Sequence, residues 1–204
     1  MSTLIAESQS LKFPLRHRWT VAEYHRMAEV GLLNEDSRVE LIDGEIIEIA
    51  PIGSPHGGHV KRCIRLFSKV VDDKAIIAAQ DPVVLGNYEE PEPDIALLRW
   101  RDDDYEQMHP RPEDVLLLIE VSDSTLRYDR DVKVPLYAKN GIPEVWLLDI
   151  QNRQLEIYRE PSNGAYQQRG SQRTGKIMPI LCPDAVIDLA ELFPNSSLNP
   201  TNND

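Results

Sequence analysis

In the run Val115-Leu116-Leu117-Leu118-Ile119-Glu120-Val121 a single carboxylate stands where every neighbour is apolar. An isolated charge in such a setting is costly enough to require a partner, a proton or a bound cation. Strand alternation sets Leu116, Leu118, Glu120 and Ser122 on one face, so Glu120 projects beside Ser122 near the C-terminal end of the strand. A second acid, Asp94, lies in Pro93-Asp94-Ile95-Ala96-Leu97-Leu98, directly before another apolar run, and meets Glu120 if the two strands are neighbours. Two carboxylates held close repel each other, and a hard dication such as Mg²⁺ uses such a pair, filling its shell with water and phosphate oxygens. Lys133 follows on a helix, four residues from both Asp129 and Tyr137 and hence on one face with them. Its ammonium could orient an attacking water or offset charge on a phosphorane-like transition state. Glu40 interrupts Val39-Glu40-Leu41-Ile42 as a fourth candidate, with Glu45 and Glu48 competing for the same role.

Each of these residues also has a plainer reading. Glu120 could be a strand-end carboxylate facing water or an arginine, Asp94 an acid in a surface loop, and Lys133 a solvated helix lysine. His56 and His59, in His56-Gly57-Gly58-His59, could bind metal, act as base or contact phosphate at the start of the basic helix, but with no third ligand nearby in sequence they read first as loop or helix-cap residues. Phosphate-loop, dinucleotide and nucleophile-elbow motifs are missing, and Ser122 and Ser124 lack a His-Asp arrangement. Cys63 and Cys182 stand far apart and read as core residues rather than a disulfide or zinc pair.

Positioning such groups takes a framework, and the sequence marks one. Thr20-Val21-Ala22-Glu23 has capping-box spacing and opens a helix through about Ala28 that ends near Gly31. Val39 to Ile42 and Glu45 to Ile49 flank Asp43-Gly44, which suits a tight hairpin turn. Pro51 to Gly58 reads as a loop. Val60, Cys63, Ile64, Phe67, Val70 and Val71 then form one apolar helical stripe, leaving Lys61, Arg62, Arg65 and Lys69 as a basic face. Strands are expected at Ala75 to Ala79, around Val83 to Leu85, at Ile95 to Leu98, at Val115 to Val121 and at Val145 to Ile150. A helix over Tyr128 to Asn140 stops at Gly141, with Pro135 bending it or marking its first turn. Gln154 to Tyr158 with the Ser162-Asn163-Gly164 turn suggests a second hairpin, and Val186 to Leu192 a final element. Residues 1–18 and 194–204 read as polar tails around a single domain, 19–193.

A chain of 204 residues, 41% hydrophobic and 27% charged, is long enough for one well-filled core. No apolar run approaches the roughly 20 residues of a membrane span, and no signal peptide is apparent, which places the protein in the cytoplasm without a membrane partner. The net charge of −12 argues at first against a nucleic-acid partner. Residues 89–114, however, hold ten acidic against three basic residues, and contain Asp94. Most of the net charge is therefore local, and most of those carboxylates are expected to be solvated surface.

Pro93-Asp94, Glu120-Val121-Ser122 and Lys133 together resemble the PD-(D/E)xK nuclease superfamily in a form whose lysine has migrated. The usual lysine place, two residues after the second acid, is Ser122 here. The wider pattern resembles the Uma-two family of restriction-endonuclease-like bacterial proteins. It is carried by Val39 to Glu45, Pro93-Asp94, Leu118 to Ser122, Asp129 to Lys133 with Tyr137, and Gly141 to Asp149, and it covers about residues 19 to 190. The resemblance implies an α/β restriction-endonuclease-like core: a central mixed β-sheet flanked by helices, with added β-hairpins. It further implies Asp94 and Glu120 as ligands of Mg²⁺ (or Mn²⁺), Lys133 as the catalytic lysine, Glu40 as an additional acid, and hydrolysis of DNA phosphodiester bonds. The basic faces of the Val60 to Val71 helix and of Arg127, Arg130 and Lys133 would then hold the DNA backbone, and cutting two strands is compatible with a homodimer. Two other classes stay open: a non-catalytic module binding nucleic acid or protein, and a hydrolase of another phosphate ester.

Overall fold

The computed structural model describes residues 16–34, 37–49, 51 and 53–194, so all but a few residues of the two expected tails lie outside the described residues. Helix α1 (Val21–Glu29) starts at the anticipated capping box: Thr20 Oγ1 accepts from the Glu23 amide, and the Thr20 amide donates to the Glu23 carboxylate. Strands β1 (Val39–Ile42) and β2 (Glu45–Glu48) pair antiparallel across Asp43 and Gly44. Those two residues have φ of 51° and 77°, the doubly left-handed geometry of a type I′ turn.

Helix α2 (Ser54–Phe67) begins inside the segment expected to be a loop, because Pro55 sits in its first turn, where a missing N–H costs nothing. His56, Gly57 and Gly58 are therefore helical. Strands β3 (Ala75–Ala78), β4 (Ile95–Arg99), β5 (Val115–Ser122), β6 (Glu144–Asp149), β7 (Gln154–Ser162) and β8 (Ala165–Gln172) form one six-stranded sheet in chain order. Every neighbouring pair is antiparallel except β5–β6. That parallel pair requires a crossover, supplied by α3 (Leu126–Tyr128), a π-helical turn (Asp129–Lys133) and α4 (Val134–Lys139). Asn163 and Gly164, with φ of 51° and 76°, close the β7–β8 hairpin. A two-stranded ribbon of β9 (Lys176–Ile177) and β10 (Ile187–Asp188) leads into α5 (Leu189–Leu192), which together replace the single expected final element.

The sheet carries a core on each face. Val60, Cys63, Phe67, Leu117, Ile119, Val121, Trp146 and Leu148 pack beneath α2 and α5. On the opposite face Leu118, Val145, Leu147, Tyr158 and Tyr166 pack against Val134, Leu136, Tyr137 and Ala138 of α4. This is the expected mixed sheet between helical layers. Both cysteines are buried and free. Among the described residues no helix is long and apolar enough to cross a membrane.

Two local expectations fail for identifiable reasons. Val83 to Leu85 forms no strand: it is a buried extended segment whose amides bond to the carbonyls of Pro91, Pro110 and Glu89, which belong to loops rather than to a sheet neighbour. Leu116 does not share the face of Glu120. Leu97 pairs with Leu117 while Leu98 pairs with Val115, so Leu116 is the extra residue of a β-bulge and joins the α2 side of the core. Beyond the bulge regular alternation returns, and Leu118, Glu120 and Ser122 face the α4 side.

Candidate active site

At the C-terminal end of β5 the sheet opens into a cleft of about 350 Å³ lined by Glu40, His56, Gln80, Glu92, Asp94, Glu120, Tyr128, Asp129 and Lys133, among others. Because β4 runs antiparallel to β5, with Ile95 opposite Ile119, Asp94 at the start of β4 and Glu120 near the end of β5 arrive at the same edge. Asp94 is anchored on both sides of the sheet end: its Oδ2 accepts from the Val121 amide at 2.8 Å and lies 3.1 Å from His56 Nε2. Glu120 is 2% exposed. Its Oε1 receives the Tyr137 hydroxyl at 2.5 Å and lies 3.4 Å from Lys133 Nζ.

Lys133 is 7% exposed and faces Glu40 Oε2 at 3.0 Å on its other side. It arrives there through the π-helical turn, in which the Val134 amide bonds back five residues to Asp129. Pro135, within the first turn of α4, has no N–H to continue an α-helical ladder, which suits the wider turn. The helix expected over Tyr128 to Asn140 is thus divided, with Pro135 marking the first turn of its second part, and Asp129, Lys133 and Tyr137 all point inward. Glu40 is selected over its sequence rivals by burial. It is 2% exposed and also accepts from the Glu92 amide at 3.3 Å, whereas Glu45 pairs with exposed Arg16 and Glu48 is exposed at the cleft rim.

The charges do not balance. Glu40, Asp94, Glu120 and Asp129 are all buried around one buried ammonium. Burial pushes the Glu120 carboxyl up to about 8, against the opposing pull of Lys133, with Asp129 and Asp94 adding to the rise. Burial likewise raises Asp129, although Thr125 and Ser122 donate hydrogen bonds to its Oδ2. Lys133 behaves oppositely: burial opposes its charge, but Glu120 and Glu40 outweigh burial and hold it firmly as an ammonium. The His56 imidazole is raised by its hydrogen bond to Asp94. Two buried polar atoms in this wall have no partner among the described residues, His56 Nδ1 and the Tyr128 hydroxyl.

The four residues singled out from sequence, Glu40, Asp94, Glu120 and Lys133, thus line one cleft. His56 is a correction, since it bonds Asp94 rather than filling a loop or cap role. Asp129, Tyr128 and Tyr137 were not proposed as site residues; the signal available was their spacing around Lys133. Ser122, at the place where the superfamily carries its lysine, donates to Asp129. Two basic-face expectations separate. Lys61 and Arg65 on α2 are exposed, as is Lys69 in the turn after it, where the helix ends at Phe67, short of the expected Val71. Arg130, in contrast, is engaged by Glu156 and Lys133 is buried, while Arg127, although 3.5 Å from Asp131, stays exposed. Within the acidic segment Glu89, Glu90 and Asp94 are buried, and the other seven carboxylates are exposed or partly exposed, as expected for most of them.

A mixed sheet whose strand ends gather carboxylates around a lysine defines a nuclease-like architecture. Residues 21–190 match the Uma2 family, described as "Putative restriction endonuclease", and the chain belongs to that family. It also resembles the crystal structure of "a putative nuclease belonging to DUF820" from Anabaena variabilis ATCC 29413. The TM-score is 0.66 at 18% identity, covering 85% of this chain and 97% of the other, a likeness that establishes the shared fold. No curated protein matches the chain.

Proposed function

We propose that this protein is a Mg²⁺- (or Mn²⁺-) dependent endonuclease that hydrolyses DNA phosphodiester bonds. The observation that carries the reading is the cluster of four buried carboxylates, Glu40, Asp94, Glu120 and Asp129, offset only by Lys133 and His56 among the described residues, in an open cleft. Its donor set suits a hard dication, which needs only one or two carboxylates and completes its shell with water and phosphate oxygens. Asp94 and Glu120 are the ligands; Tyr137 and Lys133 both address Glu120 Oε1, which leaves Oε2 for a metal. When bound, the ion would polarise a non-bridging oxygen and lower the pKa of a bound water.

The chain's own residues do the rest. Two of the three Lys133 protons face Glu40 and Glu120, so the third can orient the attacking water or meet the developing negative charge. Held as an ammonium, Lys133 donates and does not act as the base. Glu40 fixes it from the hairpin side. The unpaired Tyr128 hydroxyl is a donor that a phosphate oxygen would satisfy. As water attacks phosphorus it gives up a proton to solvent, the bond to the leaving sugar oxygen breaks, and that oxygen takes up a proton from solvent. Lys61 and Arg65, exposed on α2, fit the flanking phosphates, while cutting both strands would take two copies of the chain.

Nicking of supercoiled plasmid tests this. Cleavage should require added Mg²⁺ or Mn²⁺ and fall at least a hundredfold in Glu120→Ala and Asp94→Asn. Absence of metal-dependent cleavage, or undiminished cleavage by the variants, overturns the reading.

A further inference from the structure

Outside the cleft, His25 of α1, Glu90 before β4 and His109 in the loop between β4 and β5 converge. One donor atom from each lies within 4.8 Å of the others. His25 Nε2 is already 2.7 Å from Glu90 Oε2, and the two imidazole rings stand 6.0 Å apart, centroid to centroid. Glu90 is only 4% exposed, yet its side-chain partner is a histidine rather than a lysine or arginine. Both histidines remain open to solvent.

We infer that His25, Glu90 and His109 form a second metal site, specific for a borderline transition ion of the Zn²⁺ class and separate from the Mg²⁺ site of the cleft. Two imidazoles and one carboxylate are a three-ligand zinc set, with water in the fourth position. Bonds of 2.0–2.1 Å in a tetrahedron put donors about 3.3 Å apart. The His25–Glu90 pair, at 2.7 Å, needs to open by only about 0.6 Å to reach that spacing, and the exposed His109 ring, whose donor lies within 4.8 Å of both, needs to move by at most about 1.5 Å. Donor chemistry sorts the two ions: imidazole nitrogens favour Zn²⁺ over Mg²⁺, and an all-carboxylate pair does the reverse.

The location gives the site a consequence. The Glu90 amide bonds the Leu41 carbonyl at 2.7 Å, and the Leu41 amide bonds the Glu90 carbonyl at 3.2 Å, one residue from Glu40. Tyr24, beside His25, donates its hydroxyl to the Val39 carbonyl at 2.9 Å. An ion here would clip α1 and the 101–114 loop to the backbone bridge that carries Glu40 to Lys133. It would brace the wall of the cleft without entering it. The inference stands whether or not the cleft is catalytic.

Zinc binding is measured on the full chain, stripped with chelator, by competition with a chromophoric zinc indicator in excess Mg²⁺, and by thermal unfolding. One equivalent of Zn²⁺ should bind, and a hundredfold excess over Kd should raise Tm by about 5–10 °C. His25→Ala and His109→Ala should each lose that equivalent and that shift while keeping the native circular dichroism spectrum. Asp94→Asn should keep both. Zinc retained by both histidine variants, lost in Asp94→Asn, or not bound at all in excess Mg²⁺ overturns the inference.

Discussion

Glu120 and Glu144 lie on adjacent parallel strands, β5 and β6, and both are buried, at 2% and 0% exposure. Their surroundings differ completely. The Glu144 carboxylate receives Arg159 Nε at 2.8 Å, Trp146 Nε1 at 2.6 Å and the Ile180 amide at 2.7 Å, so both oxygens are used and its charge is matched. Glu120 shares one ammonium with Glu40, has Asp94 and Asp129 close enough to raise its pKa, and takes its hydrogen bond on a single oxygen. Burial of a carboxylate therefore says little about chemistry. The imbalance of its partners is what distinguishes a site from a structural pair.

The largest effect expected from that contrast is an opposite response to one substitution. Glu120→Gln should lower metal-dependent nicking by about a thousandfold while leaving Tm unchanged or higher, because it removes one of several repelling charges. Glu144→Gln should keep nicking by the folded protein but lower Tm by about 3–10 °C, since it strips Arg159 of its partner. Parallel activity and thermal scans of both variants decide it, and equal losses in both columns would erase the distinction.

Next in size is Lys133→Met. Deleting the ammonium leaves Glu40 and Glu120 without their shared counter-charge, a loss of about 3–5 kcal/mol. Activity should fall at least a hundredfold, and Mg²⁺ should raise Tm more in the variant than in wild type. An equal Mg²⁺ shift in both proteins would show that metal and lysine do not serve the same charges.

A smaller effect follows from the raised Glu120 carboxyl. A group whose folded pKa lies above its unfolded value contributes stability that is complete below the unfolded pKa and is lost as pH rises through the folded one. In chelator, Tm should therefore decline between about pH 4.5 and pH 8, and Glu120→Gln should flatten that slope. Added Mg²⁺ should flatten it as well, by favouring the carboxylate.

The smallest effect belongs to Arg130 and Glu156, a bidentate pair on the outer side of the same helix. Burial pushes the Glu156 carboxyl up, but hydrogen bonds from Arg130 and Tyr158 prevail and lower it. Its stabilisation is thus present above the unfolded carboxylate value and lost as pH falls below about 4.5. Glu156→Gln should cost about 1 kcal/mol or less at neutral pH, about 2–4 °C in Tm, and leave nicking unchanged.

Much of this architecture is legible locally. The capping box at Thr20, the Asp43-Gly44 and Asn163-Gly164 turns and the β5 run each obey rules that act over a few residues and form where expected, and the apolar stripe of α2 lies on a helix displaced toward the N-terminus. Where reading fails, the deciding neighbour is distant in sequence. Val83 finds Pro91 and not a strand, Leu116 is pushed out of register by β4, and His56 turns to Asp94, 38 residues away. Arg130, read as a ligand for phosphate, is consumed by Glu156 on β7.

Sequence alone determined that one carboxylate stood inside the β5 run, that a second preceded β4, and that a lysine followed on the next helix, since residue type and short-range periodicity settle such matters. Only the tertiary structure decided that Glu40, and not Glu45 or Glu48, closes on Lys133, and that His25 and His109 meet over Glu90. Both outcomes depend on the packing of elements far apart in the chain. No local preference encodes the distance between two side chains whose backbones are brought together only when the sheet, the hairpin and the crossover helix assemble.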